Sequence, residues 1–156
     1  MPKLIQKHRH ATKIHWGVHL PGQTVMAATL SHLTASKTAQ DPIKVVELGL
    51  PKESFERLRT AFGIPKKQMA EIVSIPVRTL GRRKRLLMPE SDRVLRLGLL
   101  FQKSLQVLGD ADVSRQWMLS PKRAFTGRTP LEMARTEVGA REVERLLGQI
   151  EQGVFA

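Results

Sequence analysis

The stretch from Pro65 to Leu86, PKKQMAEIVSIPVRTLGRRKRL, decides how the rest of the chain is read. Pro65 can open a helix, because its missing N–H costs nothing in a first turn. Met69 and Ile72 then face inward with the small Ala70 beside them. Val73-Ser74-Ile75 predicts a tight connection, and Pro76 begins a second helix expected to reach about Leu86, with Val77 and Leu80 inward. Two short helices so joined, the second rich in arginine, have the shape of a helix-turn-helix. Arg78, Arg82 and Arg85 fall at i, i+4 and i+7, a stripe opposite Val77 and Leu80, with Thr79 and Arg83 at its flanks and Lys84 completing an acid-free run. A major groove admits one helix, and the arginine fork suits guanine edges and phosphates alike; a solvated basic face would look the same. Two residues sit awkwardly in this pattern. Gly81 in mid-helix costs about 1 kcal/mol relative to alanine, which close approach to a DNA backbone would explain, and Ser74 stands where many such turns place glycine.

Upstream, Asp41 can cap and Pro42 can begin a short helix over 42–48 that Gly49 stops. Leu50-Pro51 starts another, with Phe55, Leu58 and Phe62 on one face and Gly63 at its end. Downstream, Ser91 is a plausible cap for a long helix over 91–109, in which Val94, Leu97, Phe101, Leu105 and Leu108 recur at spacings of three and four. Leu95, Leu99, Leu100 and Val107 widen its apolar surface beyond one stripe, so it is expected to be a central core helix, a dimer seam, or both.

Residues 112–119 read as a short helix bounded by Pro121, and 120–128 as a loop. Thr129-Pro130-Leu131-Glu132 is a helix start with threonine as cap, proline at N1 and glutamate at N3 reaching back, the helix ending near Thr136. A last helix over about 138–152 turns Val143, Leu146, Leu147 and Ile150 inward and stops at Gly153. Val154-Phe155-Ala156 outlasts it, an apolar end that is tucked in or offered to a partner. Nothing reads as a strand, so the fold class is all-α.

The net charge is +12 over 156 residues. Residues 1–50 contribute +4, residues 51–88 contribute +7, and residues 89–156 only +1. Excess charge does nothing for a fold and marks contact with an anionic surface, so a polyanion is expected at the first two thirds and a protein at the last. All five histidines precede Asp41, the first acid. This basic arm, residues 1–40, resembles a transit peptide or a flexible nucleic-acid-binding arm, without the pattern of a secretory signal. His8-x-His10 and the His15/His19 pair have no carboxylate nearby to complete a metal site, and 24–33 is compatible with a short helix.

With no cysteine, disulfide scaffolds, thiolate nucleophiles and thiolate metal sites are excluded. No Gly-rich phosphate loop, nucleophile elbow or His-Glu-x-x-His occurs. Glu132 is explained by capping, and Glu142 and Glu144 by a polar helix face beside Arg141 and Arg145. A binding protein is therefore expected, with no catalytic residue, cofactor or metal. No apolar run is long enough to cross a membrane.

The C-terminal segment, with Gly109, Trp117-Met-Leu-Ser-Pro121, Gly127-Arg-Thr-Pro-Leu-Glu-Met133, Gly139-Ala-Arg-Glu-Val143, Leu146-Leu147 and Gly153-Val154, resembles the toxin-binding domain of the Xre/MbcA/ParS antitoxins. The family's helix-turn-helix precedes it from Gly49-Leu50-Pro51 to Leu86. Lys122 and Phe125 depart from the family's usual asparagine and leucine. The charge sets apart a basic arm over 1–40, which has no counterpart in the family, and the resemblance divides the rest into a DNA-binding domain over 41–89 and a linking or dimerisation helix with a toxin-binding domain over 90–156. The resemblance implies a cytoplasmic bacterial type II antitoxin that blocks the active site of a RES-domain toxin from the same operon, one that consumes NAD or transfers its ADP-ribose.

 

Such antitoxins also bind operator DNA to repress their own operon, usually as homodimers. Carried over residue by residue, Arg78, Thr79, Arg82, Arg83, Lys84 and Arg85 would meet DNA, and Ile150, Gly153, Val154, Phe155 and Ala156 the toxin pocket. A free-standing helix-turn-helix regulator without a toxin, and a general RNA- or ribosome-binding basic protein, are the competing classes. The near-neutral last third argues against the second of these.

Overall fold

A computed structural model describes residues 42–154. The basic arm, the helix read over 24–33, the histidine pairs, the Asp41 cap, Phe155 and Ala156 lie outside the described residues. Eight α-helices follow one another among the described residues: α1 (Pro42–Leu48), α2 (Lys52–Phe62), α3 (Lys66–Ile72), α4 (Val77–Arg82), α5 (Met88–Leu108), α6 (Ala111–Leu119), α7 (Pro130–Met133) and α8 (Glu137–Glu151). The only extended pairing described is a single antiparallel bridge between Pro51 and Arg85. The all-α expectation holds.

Proline and glycine punctuate the first half as expected. Pro51, Pro65 and Pro76 stand immediately before α2, α3 and α4, and Gly63 ends α2 in the left-handed conformation. Gly49 has a stronger reason to be glycine. Its φ is +79°, and a Cβ there would lie 2.3 Å from the Leu86 carbonyl oxygen. The chain after α1 is thus pressed against the segment that follows α4.

The long helix α5 starts earlier than the sequence suggests. Ser91 does not cap it: the helix begins at Met88, and the Glu90 carboxylate accepts from the Leu87 amide at 2.7 Å. Ser91 is fully buried inside the helix, where its Oγ accepts from the Leu50 amide at 2.9 Å. Val94, Leu97, Leu100, Phe101 and Leu105 are buried, and α1, α2, α6 and α8 all pack against this helix. Phe62 of α2 meets Phe101 with ring centroids 4.7 Å apart and planes tilted by 50°. One apolar core therefore runs through both halves of the chain, from Leu50 to Leu147. The helix is a core element, while Leu99, half exposed, and Leu95 keep an apolar edge on its outer side.

The start of α7 has the expected capping box. The Glu132 amide donates to Thr129 Oγ1 at 3.1 Å, and the Thr129 amide donates back to Glu132 Oε2 at 2.8 Å. The helix itself is a single turn that stops at Met133, short of Thr136. Thr136 instead caps α8, accepting from the Gly139 amide at 3.1 Å. Gly139 is required by close approach, since a Cβ there would stand 2.0 Å from the Met133 carbonyl oxygen. The Gly139-Ala140 pair thus lets α8 turn back directly over α7.

Two substitutions test this account. Gly139→Ala is expected to destabilise the protein by about 3 kcal/mol, because backbone and not a flexible side chain blocks the new methyl. Thr129→Ala should cost about 1 kcal/mol in denaturant unfolding. Hydrogen bonds from the Thr129 backbone and hydroxyl hold the Glu132 carboxyl below its ordinary range, so this stabilisation is present above the usual carboxylate pKa and fades as pH falls through the lowered one. The gap between wild type and Thr129→Ala should narrow in acid.

Candidate functional site

Helices α3 and α4 are joined by Val73, Ser74, Ile75 and Pro76. Ser74 has φ +53°, the left-handed conformation that glycine supplies in many such turns. The Ile75 amide donates to the Ala70 carbonyl at 2.9 Å and closes the turn, while Val73 and Ile75 are buried beneath it. Met69, Ile72 and Leu80 anchor the two helices to the core. This is the helix-turn-helix geometry read from the sequence.

Helix α4 is shorter than expected. It ends at Arg82, and Arg83 is already extended at φ −107°, ψ 146°. Arg85 therefore does not extend the stripe of Arg78 and Arg82; it lies in the bridge with Pro51, and its Nη1 donates to the Gly49 carbonyl at 2.7 Å. Around that bridge the Lys52 amide donates to Lys84 O at 3.1 Å and the Leu86 amide to Leu50 O at 2.8 Å. Arg83 pairs with the buried Glu90 at 3.3 Å. Val77, expected inward, is 44% exposed beside Arg78 at the start of α4.

The six basic-segment residues thus divide. Arg78 and Arg82 are exposed one turn apart on α4, Thr79 is half buried between them, and Lys84 is exposed on the extended segment. Arg83 and Arg85 are held by contacts within the fold. A Cβ at Gly81 would meet nothing within 4 Å, so packing within the chain does not explain this glycine. The pairing also brings Lys52 next to Lys84, a juxtaposition that no local sequence signal announces because the two are far apart in the chain.

The second candidate surface is the end of α8. Ile150 is half buried, and Gly153 has φ +69°. The Gly153 amide donates to Ile150 O at 3.1 Å and the Val154 amide to Gln149 O at 2.9 Å, the paired bonds of a Schellman ending. Lys103 of α5 meets Glu151 at 2.5 Å and fastens the last turn. Val154, 54% exposed, leaves this fixed ending into solvent. Among the described residues no group of three or more histidine, aspartate or glutamate side chains could hold a metal ion, and no helix is long and apolar enough to cross a membrane.

Fold and sites define a helix-turn-helix protein whose long fifth helix carries a second helical unit with an exposed apolar ending. Residues 41–98 match the antitoxin Xre-like helix-turn-helix domain, and residues 104–153 match the antitoxin Xre/MbcA/ParS C-terminal toxin-binding domain. The chain is 30% identical over 117 residues to an antitoxin Xre of Photorhabdus laumondii, covering 72% of this chain and 79% of that one. It is 37% identical over 83 residues to an antitoxin Xre of Pseudomonas putida, where the match spans 51% of this chain and about half, 52%, of the relative. A Prs ADP-ribosylating antitoxin of Sphingobium is 26% identical over 129 residues, 74% of this chain and 81% of that one. The chain belongs to the Xre family of antitoxins, the protective members of toxin–antitoxin systems.

The division of the basic residues has a direct consequence. Arg85→Ala should lower stability by about 1 kcal/mol through loss of a charge-assisted bond to Gly49. Arg82→Ala should leave stability within about 0.5 kcal/mol, as expected for an exposed side chain without a partner. Parallel urea melts of the two variants check both.

Proposed function

We propose that this antitoxin neutralises a RES-domain toxin encoded in the same operon, one that consumes NAD or transfers its ADP-ribose, and represses the operon by binding its operator. Neutralisation is by occlusion: α8 directs Ile150, Gly153 and Val154, with Phe155 and Ala156 beyond them, into the toxin's active-site cleft. The observation that carries this reading is the Schellman ending, which gives an apolar tail a fixed departure from the domain matched to toxin binding. The name of the Sphingobium relative, a Prs ADP-ribosylating antitoxin, supports ADP-ribose chemistry in the partner.

On the DNA side, Arg78, Thr79 and Arg82 enter the major groove from α4, and Lys84 contacts phosphate. Arg83 and Arg85 shape the segment from behind, since their guanidinium groups are engaged within the chain. The open surface at Gly81 leaves room for a DNA backbone. A homodimer would present two such helices to an inverted repeat. Ile43 and Met88, exposed at 67% and 54%, line a groove with Leu95 and supply an apolar surface for that pairing. Both ligands belong in the bacterial cytoplasm.

Deleting residues 152–156 is expected to abolish rescue of growth when toxin and antitoxin are co-expressed, while operator binding persists. Full rescue by the truncated chain would overturn occlusion by the tail. The double change Arg78→Ala, Arg82→Ala should weaken operator binding by about 1–3 kcal/mol for each lost base contact. For each lost phosphate contact it should reduce the salt slope by about 1. An unchanged affinity and slope in a filter-binding titration would remove α4 from the DNA interface.

A further inference from the structure

Residues 89–156 carry ten cations. Arg96, Lys103, Arg115, Arg141 and Arg145 are in ion pairs with carboxylates, and Arg93 donates to the Val73 carbonyl at 2.6 Å. The remaining four, Lys122, Arg123, Arg128 and Arg135, have neither an ion pair nor a side-chain hydrogen bond among the described residues and fall within fourteen consecutive positions. The small net charge of the last third therefore conceals a local basic surface.

That surface is held in shape. The Lys122 amide donates to Arg128 O at 3.0 Å across the turn, and the Gly127 amide returns to Lys122 O at 3.0 Å. A single 3₁₀ turn, Arg123–Phe125, lies between, with Phe125 buried as its anchor. Glu132, the one carboxylate in this stretch, is turned onto the Thr129 amide and hydroxyl at 2.8 and 3.0 Å and acts on Arg128 and Arg135 through space without an ion pair, so the four cations stay in excess. The Lys122 ammonium sits 5.1 Å from the centre of the Trp117 ring, and burial pushes its pKa below the ordinary lysine value. Trp117 shares a face of α6 with Val113, four residues earlier and 48% exposed. A turn whose backbone is already fixed loses less freedom when it meets a partner than a flexible loop would.

We infer that the turn from Lys122 to Arg128, with Arg135, is an electrostatic docking surface for an acidic face of the toxin. This rests on the reading that the C-terminal half meets a toxin. A protein is favoured over nucleic acid as the occupant for two reasons. Lys122 lies over Trp117, which shares a face of α6 with the exposed Val113, and this mixture of charge and apolar surface suits a protein. The same small domain also carries Glu137, Glu142, Glu144 and Glu151 on α8, which an extended polyanion would have to pass. Charges at the rim of an interface act chiefly on the rate of association and on its dependence on salt.

The experiment measures binding of the full chain to a catalytically silenced product of the neighbouring RES-type reading frame, by surface plasmon resonance over a range of salt. Arg123→Glu, Arg128→Glu is compared with Arg57→Glu, Lys67→Glu, which makes the same change of net charge in the other half. The first pair is expected to slow association about 10-fold at low salt. It should also flatten the salt dependence, with operator affinity and melting temperature unchanged; Arg123→Gln, Arg128→Gln should fall between. Association as fast and as salt-dependent as wild type would overturn the docking surface alone. Loss of operator affinity with intact toxin binding would also overturn it, and assign the turn to DNA. Failure of the wild-type chain to bind the toxin at all would overturn the functional reading beneath it as well.

Discussion

Burial of the stripe Val94, Leu97, Phe101 and Leu105 on α5 is the constraint on which the rest of the molecule depends. Each such side chain, fully buried, contributes about 1.5–3 kcal/mol, and no single neighbour covers them all. Phe62 covers Phe101 from the helix-turn-helix half, while α8 closes on the same helix from the other half with Val143 and Leu147 buried. Each half thus completes the core of the other. The boundary expected near residue 89 is spanned by α5, and the family match to the helix-turn-helix domain likewise continues to residue 98.

Arginines from the second half reach across that shared core to the helix ends of the first. Arg93 of α5 donates to Val73 O at 2.6 Å, beside the turn that sets the angle between α3 and α4. Arg115 of α6 donates to Ala61 O at 2.9 Å near the end of α2. Cations at helix C-termini are favourable because they meet carbonyls left without intrahelical partners. Their placement also ties the base of the recognition helix to the helices that carry the toxin-binding unit. On the opposite side, Arg96 to Glu137 at 2.6 Å and Lys103 to Glu151 at 2.5 Å hold the two ends of α8 against α5. Exposed pairs of this kind contribute little stability; their geometric effect is to set the direction in which the chain leaves Gly153.

What was legible in the sequence was local. Proline before α2, α3 and α4, glycine after α1 and α2, and the Thr129–Glu132 box act over three or four residues, and each appears where expected. The core stripe of α5 was legible because its period is helical. The misreadings share a physical cause. Residues 83–86 look helical, since arginine, lysine and leucine favour helices, but they are drawn into an extended pairing with 50–52 through bonds between residues more than thirty positions apart. Ser91 looks like a cap because serine commonly is one, and the amide it serves belongs to Leu50. Gly81 was the local sign that α4 would be short. Its one-residue signal was outweighed by the run of helix formers after it.

The same distinction governs the charge. A formal total counts every cation equally, whereas the field offered to a partner comes from cations whose charge is not already met inside the fold. Arg83 faces Glu90 and Arg85 faces the Gly49 carbonyl, so the densest basic run in the chain presents less to a groove than its composition promises. Conversely, residues 89–156 are nearly neutral in sum, yet five of their cations are consumed by the carboxylates that hold or border α5, α6 and α8, which leaves the cations of the turn after Pro121 outside any ion pair and in excess over Glu132, the one carboxylate near them. Pairing within the structure moves the effective charge from where the sequence concentrates it to where the fold leaves it exposed.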